Sequence, residues 1–214
     1  GQGMRLGFSD TGIRTDHNAF RDPSIAIPDS GRYPNHRKII AYLLYPGAAF
    51  GDVGATYHGS HVGGTIAGDD SITGGTNAND GLALKARLFF VDIANASGGL
   101  VTPADLTQLY QMIYTANVVG PVRQHSASWG RSGTGYIDRD AFSDAYHWGH
   151  KDFLDIFAAG NGGGPRTIQH AGYAKNVLTV GALQNGTSSN QIASFSSRGG
   201  TVDGRIKPTV MTPG

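Results

Sequence analysis

The chain has 214 residues, 39% of them hydrophobic, enough for one sizeable core or a compact domain with an appendage. Only 15% are charged, the formal net charge is +1 and no basic or acidic run exists, which argues against nucleic-acid and membrane-surface binding. There is no cysteine, which excludes disulfides, thiol nucleophiles and thiolate metal sites.

Apolar runs alternate with helix-like segments along the chain. The opening "GQGMRLGFSD" has no signal-peptide layout; it enters a predicted strand at 4–9, where a removed leader would leave the mature chain. Segment 20–36 is polar and contains prolines, and reads as a surface excursion. "RKIIAYLLY" (37–45) is the next predicted strand, and "YHGSHVGGTIAG" (57–68) is a predicted helix with His58 at its N-terminus. "ARLFFVDIA" (86–94) reads as a strand apolar on both faces, as in a parallel sheet covered on both sides. The clearest helix is 103–116, with Thr102 to cap it, Pro103 and Asp105 in its first turn, and Leu106, Leu109, Tyr110, Ile113 and Tyr114 on one face. A second helix is predicted over 140–151, and further strands at 156–160 and 177–183. No apolar stretch approaches the roughly 18 residues of a membrane helix. Strands alternating with helices predict an α/β fold, a mainly parallel sheet whose sites gather at the carboxyl ends of strands.

Four stretches carry chemistry. "FSDTGI" (8–13) delivers Asp10 from a strand end into a glycine turn, where an aspartate often bonds only its own backbone. In "YHGSHVGGTIAG", glycines cost a helix about 1 kcal/mol each relative to alanine, so tight packing is expected to decide its shape. Val62 and Ile66 can face the core, and His61 reads as a buried hydrogen-bonding histidine. "FAAGNGGG" (157–164) presents Asn161, an amide able to donate to a developing oxyanion or to form a polar turn. The serines of "IASFSSRGG" (192–200) lack a glycine-flanked nucleophile elbow and read as turn and strand-end donors. A metal hydrolase is the alternative from another class. It would use His58 and His61 with Asp52 as a third ligand, or the pair His147 and His150. No glutamate stands between the histidines as in the zinc-protease helix.

"FSDTGI", "HGSHVGGTIAG", "SASWG", "FAAGN", "ASFSSRG" and "DGRIKP" occur in the order and rough spacing of subtilisin-like serine proteases, and the chain resembles that family along nearly its whole length. "PNHRKI" and the last block look most like the large subtilases with an added C-terminal β-domain. The resemblance implies a three-layer fold with helices on both faces, incomplete at the C-terminus, with 1–214 as the N-terminal portion of one catalytic domain. It implies a serine endopeptidase: Asp10 as orienting carboxylate, His58 as general base and Asn161 as oxyanion donor. Ser128, Trp129, Gly130, Ala158, Ala159 and Gly160 match the pocket for the side chain before the scissile bond, and their small size suggests room for large apolar groups. Ser97, Gly98, Gly99 and Leu100 match the edge that pairs with an extended peptide or protein substrate.

By the same resemblance the protein is secreted and extracellular, and needs no cofactor for catalysis. A structural calcium fits, with Asp69, Asp70, Asn77 and Asp80 able to supply oxygens; a solvated polar loop explains those four equally well. The sequence departs from the family pattern at Tyr57 and Ser60, where Gly and Thr are usual, and at Gly200, Thr209 and Thr212. The order Asp, His, Ser implies a nucleophile after the terminal "PG", beyond Gly214. The expected partner is therefore the remaining C-terminal part of the protease, in the same parent chain or a second piece. The alternative within the family is an inactive peptide-binding fragment or pseudoprotease.

Overall fold

The computed structural model describes residues 1–54, 56–70, 72, 76, 78–115 and 119–214. Asn77 and Ala116 lie outside the described residues. Two compact units form: residues 1–103 with 109–125, and residues 104–108 with 126–214.

The first unit is built on β1 (Arg5–Asp10), β2 (Gly31–Arg32), β3 (Ile39–Leu44) and β4 (Arg87–Asp92), in the order β2-β3-β4-β1. β1 and β3 both run parallel to β4, and β2 is an antiparallel edge. The register sets Leu6, Phe8 and Asp10 beside Leu88, Phe90 and Asp92. Successive strand residues point to opposite faces, and β1 shows what each face meets. A Cβ on Gly63 would touch the Phe8 ring, so α1 (His58–Ala67) packs on the Phe8 face. A Cβ on Gly7 would touch Ile113, so α2 (Thr107–Tyr114) packs on the other. Helices therefore cover both faces here, as the sequence predicts. Phe8, Phe90 and Tyr42 form an aromatic chain with centroids 4.6 and 4.9 Å apart, and Val62 and Ile66 pack against this core.

Several expectations shift. α2 starts at Thr107, and Asp105 rather than Thr102 caps it, accepting the Thr107 N–H at 2.8 Å. The stretch 20–36 is more than a surface excursion: Phe20, Ile27 and His36 are buried. Its polarity hides them because they are single anchors in a polar stretch, with no period to detect. The buried His36 Nδ1 accepts from the Lys38 and Ile39 amides, and burial lowers its imidazole to about 4.

β5 (Gln124–Ala127), too short for a periodic signal, leads from the first unit into the second. There β6 (Leu154–Ala158), β7 (Leu178–Leu183) and β8 (Val210–Pro213) run parallel, with α3 (Asp138–Gly149) against one face through His147 and Asp155, 3.9 Å apart. Asp155, Phe157 and Thr179 on that face are buried, whereas Ile156, Ala158, Val180 and Ala182 on the other are half-exposed. Lys207, in the "DGRIKP" block, is buried and donates to the Val177 carbonyl at 2.8 Å and the Thr179 hydroxyl at 3.0 Å. That block thus serves the core beside β7.

The approach of α1 to the end of β1 leaves no room for a side chain. A Cβ on Gly59 would overlap the Gly12 carbonyl oxygen, and a residue at Gly12 would meet both Gly51 and a φ of 121°. Gly59→Ala is expected to cost about 1–3 kcal/mol by overpacking, read as a lower urea midpoint; an unchanged midpoint would show that the two segments are free to separate.

Candidate active site

β1 ends by burying Asp10, 1% exposed, beneath the first turn of α1. The His58 Nδ1–H donates to Asp10 Oδ1 at 2.6 Å, and the Thr11 amide donates to the same oxygen at 2.8 Å. The carboxylate only accepts, so this contact fixes the imidazole with its proton on Nδ1 and leaves Nε2 to accept. His58 keeps 47% of its side chain exposed, and Nε2 has no hydrogen-bond partner among the described residues.

A second carboxylate supports the first. A helix start needs acceptors for its first N–H groups, and the residue at the cap of α1, Tyr57, supplies none from its side chain. Thr11 Oγ1 accepts the Gly59 N–H at 3.0 Å and Asp52 Oδ2 accepts the Ser60 N–H at 2.9 Å. The Thr11 hydroxyl has one proton, shared between Asp52 Oδ1 at 3.1 Å and Asp10 Oδ1 at 3.3 Å. The helix carrying the histidine is thus capped by residues of the strand end that carries the aspartate and of the loop before the helix. Sequence reasoning offered Asp52 only as a metal ligand. Its capping role spans eight residues to Ser60 and 41 to Thr11, too far for a local cap motif to reveal.

The hydrogen bond that His58 donates to Asp10 raises its imidazole above the ordinary histidine range; burial opposes it, and the charges of Asp10 and Asp52 add to it. Asp92, beside Asp10 in register and fully buried, is pushed up to about 7 chiefly by burial. It accepts from the Tyr42 hydroxyl and from the Ala94 amide at 3.0 Å.

The metal reading finds its ligands otherwise engaged, with Asp52 on α1 and His58 on Asp10. His61 is exposed, not buried: a buried helix position falls at Gly59, Gly63 and Ala67, and His61 lies off that stripe. His150 stacks on Tyr146 at 4.0 Å and donates through Nδ1 to the Tyr146 carbonyl at 2.8 Å, while His147 donates through Nδ1 to the Ser143 carbonyl. Asp69 pairs with Lys85 at 3.4 Å and Asp80 accepts the Asp70 amide at 3.2 Å. Among the described residues no three His, Asp or Glu side chains could hold one metal ion.

The predicted edge Ser97–Leu100 forms a tight hairpin after β4. Asn95 Oδ1 accepts from Ser97 and Gly99, an Ala94–Leu100 bridge closes the turn, and Ser97, Gly99 and Leu100 stand exposed. In the second unit a hollow of about 260 Å³ brings together Ser128, Ala158, Ala159, Gly160 and Asn161 against Val180 and Ala182. Asn161 is exposed at its rim, after Gly160 turns the chain with a φ of 105°. Trp129 and Gly130 are not in that hollow: Trp129 is buried edge-on against Phe157 at 5.2 Å, and Gly130 faces Gln169. Ser196 and Ser197 are buried and accept backbone N–H groups of Ala182 and Gly162, each at 2.9 Å, and Ser196 also donates its hydroxyl to the Ser197 carbonyl at 3.3 Å, so it is the expected donor and an acceptor as well.

A parallel α/β sheet that ends a strand in a buried aspartate bonded to a helix-borne histidine defines a hydrolase framework of the subtilisin type. The model of the subtilase family matches residues 1–214, and the chain belongs to that family. It is 36% identical over 196 residues to the serine protease/ABC transporter B family protein tagD of Dictyostelium discoideum, covering 86% of this chain and 10% of that protein. It is 30% identical over 208 residues to the serine protease AprX of Bacillus subtilis, covering 89% of this chain and 46% of that one. The chain therefore spans less than half the length of either relative. Among solved structures it superposes on the Clostridium perfringens CspB protease with a TM-score of 0.71 at 15% identity, covering all of this chain and 75% of that one. Sphericase gives 0.66 at 23% identity, with all of this chain and 67% of that one covered.

Two outcomes are expected. In an NMR titration of the chain, His58 should titrate above an ordinary histidine, and Asp52→Asn should lower its value while Asp10→Asn lowers it further; an Asp52→Asn value equal to wild type would detach the second carboxylate from the base. Tyr57 holds a left-handed φ of 48°, which costs a residue with a Cβ about 1–2 kcal/mol. Tyr57→Gly should therefore recover up to about 1 kcal/mol in urea denaturation, after glycine's own entropy is set against it.

Proposed function

We propose that this chain supplies the aspartate and the base of a serine endopeptidase that hydrolyses peptide bonds through an Asp-His-Ser triad. The observation that carries this is the 2.6 Å Asp10–His58 contact, with Nε2 left open. A serine hydroxyl is a weak nucleophile until a base takes its proton, and a histidine held in one tautomer by a buried carboxylate is that base. Asp10 orients the ring and stabilises the imidazolium; His58 then returns the proton to the leaving amine. Asn161, exposed and without a side-chain partner among the described residues, donates to the oxyanion. Loss of one such donor costs about 2.7–4 kcal/mol in a subtilisin. Ser97–Leu100 offers its edge to an extended peptide or protein, adding a strand to it.

The nucleophile comes from a further segment of the protease, in the same parent chain or a second piece, and this chain alone is inactive. The half-exposed Ile156, Ala158, Val180 and Ala182 support such a partner, since an apolar sheet face is stabilised by covering it. The protein works outside the cell, the location its resemblance to the family implies; separately, among the described residues no helix is long and apolar enough to cross a membrane. Catalysis uses no metal, and a calcium ion, where bound, is structural.

A fluorophosphonate probe is expected to label protein that contains the serine segment, to leave the 214-residue chain unlabelled, and to lose its target in His58→Ala. Serine-containing protein that takes up no probe would favour the alternative reading, an inactive peptide binder.

A further inference from the structure

The asparagine assigned to the oxyanion stands in an Asn-Gly pair, Asn161–Gly162, and both residues are exposed. Such a pair is chemically fragile. Once the glycine nitrogen loses its proton it can attack Cγ of the asparagine side chain, and glycine has neither the bulk nor the backbone restriction to prevent it. The N–Cγ bond forms, the Cγ–Nδ2 bond breaks and ammonia leaves. Water then opens the cyclic imide at either carbonyl. An amide and a water thereby become a carboxylate and an ammonium ion, and the residue ends as aspartate or isoaspartate.

Packing forces the glycine. A Cβ built on Gly162 would lie 2.6 Å from the Thr167 Cβ. Thr167 is held there: its hydroxyl donates to the Gly164 carbonyl at 2.6 Å and its amide to the Arg198 carbonyl at 3.2 Å. Three residues on, the buried His170 Nδ1–H donates to the buried Asp140 Oδ2 at 2.6 Å, which pins the same segment to α3. Ser197, fully buried, brackets the asparagine. Its amide donates to the Gly160 carbonyl at 2.9 Å and its Oγ accepts the Gly162 N–H at 2.9 Å, one bond on each side of Asn161. The Gly163 amide donates to the Phe195 carbonyl at 2.9 Å and the Arg198 amide to the Gly164 carbonyl at 3.1 Å, so the two segments are zipped together. The nitrogen that would attack keeps its proton on Ser197 and exposes it only when these segments part locally. The second Asn-Gly pair, Asn185–Gly186, is also exposed but has no such clamp. Asn185 Nδ2 donates to the Gly214 carbonyl at 2.8 Å, whereas the Gly186 N–H donates to no group among the described residues.

We propose that Asn161–Gly162 is a site of spontaneous deamidation and that Ser197 is the positioning residue that holds it unreactive while the loop stays closed. The consequence for activity, though not the modification itself, rests on the protease reading above. A carboxylate at 161 cannot donate to an oxyanion and adds a negative charge where one must develop, so opening of this loop switches the enzyme off irreversibly. Ser197 acts through the backbone on either side of Asn161 and touches no reacting atom of the substrate.

The test ages protein containing the serine segment at mildly alkaline pH, in the His58→Ala form so that it cannot digest itself. Peptide mass spectrometry reads the conversion of amide to acid at Asn161 and at Asn185. Asn185 should convert well ahead of Asn161. Ser197→Ala should speed Asn161 by roughly 3- to 10-fold, the worth of one ordinary hydrogen bond, with Asn185 unmoved, and Ser197→Thr, which keeps the hydroxyl, should hold Asn161 slow. Asn161 converting as fast as Asn185 in the folded parent, or unmoved in a folded Ser197→Ala, overturns the proposal. Where Ser197→Ala folds poorly and both sites accelerate, the parent protein in rising urea decides: Asn161 should climb to the rate of Asn185, and an Asn161 rate that stays low on unfolding sinks the idea. The consequence is read separately with His58 intact. Asn161→Asp, the product itself, should lower kcat by about 10²–10³, as for one lost oxyanion donor. Asn161→Asp protein as active as its parent would overturn the role given to Asn161 in the protease reading and leave the modification standing. Parent protein that takes up no fluorophosphonate counts against the protease reading alone.

Discussion

A carboxylate taken out of water is stable only where donors are aimed at it, and the first unit is arranged around that requirement at Asp10. Two of its donors, the Thr11 amide and the His58 ring, converge on one oxygen. The ring can arrive only because Gly59 and Gly12 let backbone meet backbone. The glycines that weaken α1 as an isolated helix are thus what allow the dyad to close. The stability that α1 lacks locally is returned by acceptors from outside it, Thr11 and Asp52, at the N–H groups of its first turn. Packing, capping and chemistry meet in one turn of helix, so a change at any of these residues is felt at His58 Nδ1.

How much of this was legible in the sequence follows from the range of each signal. Strands β1, β3, β4, β6 and β7 were legible within about two residues because each is a long apolar run. β2, β5 and β8, of two to four residues, carry no period and were missed. Asp10 and His58 were legible as motif residues, and the structure brings them together. Asp52, Gln169 and the Asp140–His170 pair were not, since each acts on a partner that only the tertiary fold brings near: the buried pair spans 30 residues and Gln169 meets glycines 39 and 9 positions away in numbering. His61 was misjudged for a plainer reason. Spacing of three from His58 places it next to, but not on, the stripe Gly59, Gly63, Ala67 that faces the sheet.

The departure at Tyr57 has a backbone meaning as well as a steric one. A left-handed residue before the helix is where glycine is comfortable, and the family pattern supplies glycine there. Here the tyrosine accepts that conformation, stands half-exposed beside His58, and holds the Arg14 guanidinium 5.5 Å from its ring centre. Arg14 is in turn tied to Asp16 by paired contacts of 3.0 and 2.9 Å, and its backbone amide donates to Ser60 Oγ at 2.8 Å. The two residues that differ from the usual block, Tyr57 and Ser60, thus both contact the loop at Arg14, so the departures form one connected feature at the mouth of the site.

The acid groups around His58 give the first unit a definite pH sense. His58 has a raised folded value, so its contribution to stability is full below the unfolded value of about 6.5 and is lost as pH rises through the folded one. Asp92 is also raised, to about 7 against roughly 3.9 unfolded. The folded state therefore holds a proton that the unfolded chain has released, and stability falls as pH climbs through that interval. Both groups act in the same direction: the unit is held more firmly on the acid side of neutrality, where His58 is protonated and cannot serve as a base. Raising the pH frees Nε2 and loosens the surrounding fold together, because burial makes ionisation of Asp92 costly and the carboxylates around the ring, Asp52 and Asp10, add to that cost. The neutral Tyr42 hydroxyl on Asp92 limits that cost, donating to the carboxyl in either protonation state while accepting the Gly51 amide at 3.0 Å. Gly51 adjoins Asp52, so the hydrogen bonds of the third acid lead back to the loop that caps the helix carrying His58.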